Sequence, residues 1–164
     1  MKPDFREVFE RNKKLVYHIC LIHLKNPDDA DDAVQEVFLK YLKSEDRFTS
    51  EEHIRSWLVT VARTTCTDKI RYWIRRGHFT DSELNEAVTG IFQEQMDGSE
   101  AVITDFLKMD DKYGLVLYLY YVQGYNTEEI SKITGSNLST VKTRLQRGRE
   151  KLKNHLKEAG YEER

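Results

Sequence analysis

Apolar residues recur along this chain every three or four positions, and nearly every such run opens on a capping residue or closes on a glycine. That spacing matches the roughly 3.6-residue turn of an α-helix and not the alternation of a strand, so the chain must fold as packed amphipathic helices. A first helix follows from Phe5, Val8, Phe9, Leu15, Val16, Ile19 and Ile22, ending near Lys25. Asn26 is placed to cap the next, Pro27 suits its first position, and Asp28 and Asp29 put negative charge at the positive end of its dipole. Its stripe is Ala30, Ala33, Val34, Val37, Phe38, Tyr41 and Leu42, broken by the polar stretch 44–50. A third helix is expected from about Thr49, since Thr49 and Glu52 have capping-box spacing, through Ile54, Trp57, Leu58 and Val61 toward Arg76.

Residues 79–107 change character. Asp81, Glu83, Glu86, Glu94, Asp97, Glu100 and Asp105 occur there with no Lys or Arg, and Gly90 and Gly98 interrupt any period. Helical patterning resumes at Ser99 and in 111–123, where the run Leu115 to Val122 is apolar almost all round, as in a helix buried at the centre of a small domain. Gly124 ends it. Asn126 and Glu129 have cap spacing and open a short helix through Ile130 and Ile133 that stops at Gly135; a last helix runs from Leu138 to about Ala159, with Gly160 as its stop. The expected fold is all-α: a three- or four-helix domain over 1–78, an acidic linker over 79–98 and a helix-turn-helix domain over 99–164.

Composition agrees: 164 residues, 39% hydrophobic with only two prolines, suit a helical globular protein. Cys20 and Cys66 are far apart and form no CxxC pair, so neither a disulfide framework nor a zinc site is suggested and a reduced, cytoplasmic setting fits. The most apolar run is well short of the roughly 20 residues a membrane span needs, so no membrane insertion is expected. No HExxH or GxxxxGKS/T pattern occurs. The reading is non-enzymatic, with no cofactor or metal, and with His18 and His23 structural or solvent-facing.

The segment from Thr127 to Gln146, a short helix, a glycine turn and a helix with polar and basic first turns, has the pattern of a helix-turn-helix. Leu138, Val141, Leu145 and Leu152 form its inward stripe, leaving Ser139, Thr140, Thr143, Arg144 and Arg147 on free faces. Such hydroxyls and guanidiniums suit a major groove, where Arg takes guanine bidentately, and Lys142 and Arg149 add phosphate attraction. By pattern alone an ordinary basic surface helix fits as well. Ser131, Thr134 and Ser136 stand around the turn where such motifs usually carry apolar residues, which predicts loose packing there.

Two surfaces stand out nearer the N-terminus. On the second helix Asp32, Gln35, Glu36 and Leu39 share the face opposite the core stripe, a contact surface or a solvated face with one stray leucine. The third helix ends in Lys69, Arg71, Arg75 and Arg76 interleaved with Tyr72 and Trp73, cations for phosphates and rings for unstacked bases.

In order along the chain, Asn26-Pro27-Asp28-Asp29-Ala30-Asp31-Asp32-Ala33-Val34-Gln35-Glu36-Val37-Phe38-Leu39, then Ile54-Arg55-Ser56-Trp57-Leu58 with Val61-Ala62-Arg63, then Gln123-Gly124-Tyr125-Asn126-Thr127-Glu128-Glu129-Ile130 and Ser139-Thr140-Val141-Lys142-Thr143-Arg144-Leu145, resemble the extracytoplasmic-function sigma factors of the sigma-70 family. The resemblance implies an alternative sigma factor with core RNA polymerase, promoter DNA and an anti-sigma factor as partners. It assigns Asp32, Gln35, Glu36 and Leu39 to polymerase docking. Phe48, Thr49, Lys69, Arg71, Tyr72, Trp73, Arg75 and Arg76 go to the −10 element, with the loop 45–50 holding a flipped base. Ser139, Thr140, Lys142, Thr143, Arg144, Arg147 and Arg149 go to the −35 element. The acidic linker would thread polymerase near its active site. Lys108-Met109-Asp110-Asp111 and Thr64 depart from the family pattern. A polymerase-independent helix-turn-helix regulator, or a helical protein that mimics a sigma factor, would keep some of these faces.

Overall fold

The computed structural model describes residues 3–44, 47–77 and 101–158, and within these the side chains of all but Ala101 and Val102. The acidic segment 79–98, the helical restart at Ser99, the loop residues Glu45 and Asp46 and the stop at Gly160 lie outside them. The chain divides into two compact units, Met1–Ala87 and Val88–Arg164. No strand occurs among the described residues, and the fold is all-α as expected.

In the first unit α1 (Phe5–Leu24), α2 (Pro27–Ser44) and α3 (Glu51–Arg75) pack on one another. The second half of α1 is the centre of this unit. From Leu15 to Lys25 every residue but the half-buried Tyr17 is buried, including His18 and His23, which are therefore core residues. Val16, Ile19 and Ile22 of α1, Ala33 and Val37 of α2 and Leu58 and Ala62 of α3 are all buried in the core of these packed helices, where each fully buried Ile or Leu contributes about 1.5–3 kcal/mol over exposure. The α1–α2 corner is two residues long. Lys25 takes a left-handed conformation (φ 59°) and donates its N–H to Leu21, and Asn26 then accepts from the Asp29 N–H at 3.0 Å, so one helix is closed and the next opened.

α3 begins one residue later than its sequence signal. Ser50, not Thr49, is the N-cap, its hydroxyl accepting from the His53 N–H at 3.1 Å. Two adjacent hydroxyl residues both offer a cap, and Phe48 decides between them: it stacks on Tyr41 (5.3 Å between ring centres, 24° between planes) and meets Trp57 edge-on at 5.3 Å, fixing the register of the loop. Arg11 of α1 also pairs with Glu51 in the first turn.

The second unit holds α4 (Ala101–Leu107), α5 (Asp111–Leu117), α6 (Thr127–Thr134) and α7 (Leu138–Glu158). α5 does not run on as a regular α-helix through the apolar stretch. It widens into a π-helical turn, Tyr118–Val122, in which the Gln123 N–H reaches the Tyr118 carbonyl and the Gln123 side chain donates to the Tyr118 hydroxyl at 2.9 Å. The stretch is accordingly buried only as far as Leu119, and Tyr121 and Val122 are exposed. α6 opens with the expected capping box, Asn126 and Glu129 each accepting from the other's backbone N–H, and closes on Gly135 at φ 71°.

Candidate nucleic-acid interface

The turn between α6 and α7 is held by the residues expected to loosen it. The Thr134 hydroxyl donates to the Ile130 carbonyl (2.7 Å), and the Ser131 hydroxyl donates to the Ser136 carbonyl (2.6 Å), bridging the turn from one side to the other. Ile130, Ile133 and Thr134 are all buried. The turn is therefore held together, because the Ser131 and Thr134 hydroxyls that replace apolar groups each find a backbone partner and are not left as unsatisfied polar atoms. Asn137 caps α7: its side-chain oxygen accepts from the Thr140 N–H and the Ser139 hydroxyl, both at 2.9 Å. Ser136 takes a further role. Its hydroxyl accepts from Arg144 at 3.1 Å, eight residues along, which tethers that guanidinium across the first turns of α7.

Val141, Leu145 and Gly148 face inward, and Leu138 and Leu152 are half-buried at the ends of the stripe. Gly148 had no place in the sequence stripe. An added Cβ would lie 3.1 Å from the Leu117 side chain, tighter than ordinary contact, so the absence of one here eases the close approach of α7 to α5. On the outer face Ser139, Thr140, Thr143, Arg144 and Arg147 line one hollow of about 330 Å³, together with Lys112 and Tyr113 of α5. Lys142 and Arg149 are not among its walls. Arg149 instead donates to the Tyr121 hydroxyl and lies 5.6 Å from the centres of both the Tyr120 and Tyr121 rings, which ties α7 to the π-helical turn.

In the first unit the end of α3 exposes Arg71, Tyr72, Arg75 and Arg76, with Trp73 half-buried. The Arg76 guanidinium stands 5.0 Å over the Tyr72 ring, so a cation and an aromatic face are presented together. Lys69 points elsewhere: its Nζ pairs with the Glu36 carboxylate of α2 at 3.0 Å. Thr64 is exposed, its hydroxyl turned back on the Val61 carbonyl. Thr49 is exposed and Phe48 half-buried; with Tyr41, Ser50, Asp4 and Glu7 they border a hollow of about 660 Å³ beside the loop. On α2 Asp32, Gln35 and Leu39 are exposed, Leu39 at 57%, while Glu36 is half-buried against Lys69. The sequence showed these two faces as separate, and the structure joins them through this ion pair.

Cys20 of α1 and Cys66 of α3 are brought together as free, buried thiols. The hydrogen bond with Cys66 first, and burial second, hold the Cys20 thiol far above its ordinary range, which makes it a packing group and not a nucleophile. No helix among the described residues is long and apolar enough to cross a membrane.

The sequence matches Sigma-70 region 2 over residues 8–76 and Sigma-70, region 4 over residues 106–152. It is 30% identical to the ECF RNA polymerase sigma factor SigW of Bacillus subtilis over 94% of this chain and 89% of that protein. It is 33% identical to the RNA polymerase sigma factor YlaC of the same organism over 84% and 83% of the two chains. The fold is similar to that of the sigma factor RpoE from Bartonella quintana, solved with the anti-sigma factor NepR, at a TM-score of 0.72, 20% identity and coverage of 94% of this chain and 97% of that one. With two ordered family regions and relatives of this identity along nearly its whole length, the chain belongs to the extracytoplasmic-function sigma factors of the sigma-70 family.

Proposed function

We propose that this sigma factor docks on core RNA polymerase through Asp32, Gln35, Glu36 and Leu39 of α2, opens the −10 element with α3 and the loop before it, and reads the −35 element with α7. The observation that carries this is the outer face of α7. Three hydroxyls and two guanidiniums converge on one concave wall, and the tether from Ser136 sets Arg144 in advance for a bidentate contact with a base edge. On α3 the work falls to Arg71, Tyr72, Trp73, Arg75 and Arg76, with Phe48 and Thr49 bordering the hollow that would receive an unstacked base. Residues 1–78 serve polymerase and the −10 element, 99–164 the −35 element, and 79–98 link them. The protein acts in the cytoplasm, by binding and not by catalysis, and an anti-sigma partner restrains it.

Run-off transcription from a promoter library with purified core polymerase tests this. Promoter-specific transcripts are expected only when chain and core are both present, and Arg144→Ala should cost about 1–3 kcal/mol of discrimination at one −35 base pair. Transcripts from no promoter in the library would sink the proposal.

A further inference from the structure

The hollow on α7 has a second wall that the helix-turn-helix does not supply. Lys112 and Tyr113 stand on the first turn of α5, far from α7 in sequence, and face Ser139, Thr140, Thr143, Arg144 and Arg147 across about 330 Å³. No carboxylate is among these lining residues, and three of them are cations. The chemistry of the hollow therefore selects an anion rich in acceptor oxygens. We propose that Lys112 anchors a backbone phosphate of the duplex whose −35 bases α7 reads, as a contact outside the helix-turn-helix. This rests on the promoter-reading role of α7 proposed above.

Three observations support a phosphate in place of a base edge. The first is position. Packed helices lie about 8–10 Å apart, and a major groove is about 12 Å wide, so a helix seated beside one that fills the groove meets the sugar-phosphate rim. α5 is so seated on α7, where Gly148 lets Leu117 approach. The second is orientation. Tyr113 is buried, and the Lys112 Nζ lies 5.1 Å from its ring centre, which holds the ammonium at the hollow. Among the described residues Lys112 forms no ion pair with a carboxylate, so its charge is unspent. The third is chemistry. An ammonium is a compact point charge without the planar fork that reads guanine, which suits it to an oxygen it meets from any angle.

Two roles divide between the walls of the hollow. Arg144, tethered by Ser136, carries discrimination, and Lys112 carries affinity and register without regard to sequence. A salt titration separates them. Holoenzyme reconstituted with the wild-type chain, Lys112→Ala, Lys112→Arg or Arg144→Ala is bound to labelled promoter DNA taken from the run-off selection, and to variants of its −35 element, over a range of salt. Lys112→Ala is expected to weaken binding to every variant alike, by about fivefold at 0.1 M salt, and to reduce the slope of log affinity against log salt by about 0.9. Lys112→Arg is expected to keep the wild-type slope. Arg144→Ala should instead flatten the ranking of the −35 variants. The inference is overturned if Lys112→Ala keeps the wild-type affinity and slope, if it changes the ranking, or if Lys112→Arg loses as much as Lys112→Ala, which would mark a structural role beside Tyr113. If wild-type holoenzyme prefers none of the variants, the promoter reading itself fails and takes this inference with it.

Discussion

Gly148 shows how much one missing methyl group fixes in the second unit. Alanine in its place would gain about 1 kcal/mol of helix propensity, but its Cβ would meet Leu117 Cδ1 at 3.1 Å and Cγ at 3.2 Å, so the fully buried Leu117 would have to give by a few tenths of an ångström. Overpacking a rigid core costs about 1–3 kcal/mol, so strain outweighs propensity. Gly148→Ala should therefore destabilise by about 1 kcal/mol, and Gly148→Val by more, as read from urea unfolding midpoints. A higher midpoint for Gly148→Ala would mean that α5 and α7 are less tightly seated than described. Nothing in the sequence marks this glycine, because its reason is a side chain on another helix. The same limit applies to Ser131, Thr134 and Ser136. Their polarity predicted loose packing, and only the positions of the Ile130 and Ser136 carbonyls and of Arg144 show that each hydroxyl has a partner.

At the scale of elements, the ion pair between Glu36 and Lys69 links the proposed docking face of α2 to the basic helix α3. Partly exposed pairs of this kind contribute only about 0–1 kcal/mol to stability, so the pair matters more for what it withholds. While Glu36 holds Lys69, one of the cations of α3 is neutralised, and a partner that engaged Glu36 would release it. Glu36→Gln is accordingly expected to raise the affinity of the free chain for single-stranded −10 DNA about two- to fivefold at low salt, with little change in melting temperature. Fluorescence anisotropy with a labelled oligonucleotide measures it, and an unchanged affinity would show that Lys69 takes no part in DNA binding. Elements were the most legible scale. Asn26, Pro27, Asn126, Glu129 and Gly135 act within a turn of their own position, so their meaning can be read locally. Local signals do not decide where two are equal or where none exists. Thr49 and Ser50 offered the same cap until Phe48 packed on Tyr41, and the change of winding at Tyr118 leaves no trace in an apolar run.

Across the whole molecule, charge is segregated. The formal charge of −2 conceals α7, where Lys142, Arg144, Arg147, Arg149, Lys151, Lys153 and Lys157 face only Glu150 and Glu158, and the segment 79–107, where seven acids occur with no base. A chain with no net positive charge gains little long-range attraction to phosphate, so the basic face of α7 acts only at short range, within a Debye length of about 8–10 Å. The proposed −35 contacts of α7 and −10 contacts of α3 would add usefully only when both are held at the spacing of one promoter, since joining two weak sites by a chain multiplies their affinities only if geometry permits both at once. Polymerase, docked as proposed through α2, is the body that would impose that geometry. The free chain should then bind promoter duplex no more tightly than about 1 μM at physiological salt, the range of sequence-independent contacts, and gain specificity only in the holoenzyme. Titrating labelled promoter and scrambled duplexes with the chain, with and without core polymerase, measures both affinities in one experiment. Nanomolar, promoter-specific binding by the chain alone would mean that α7 is a complete reading head, and that polymerase adds catalysis to a site it does not help to build.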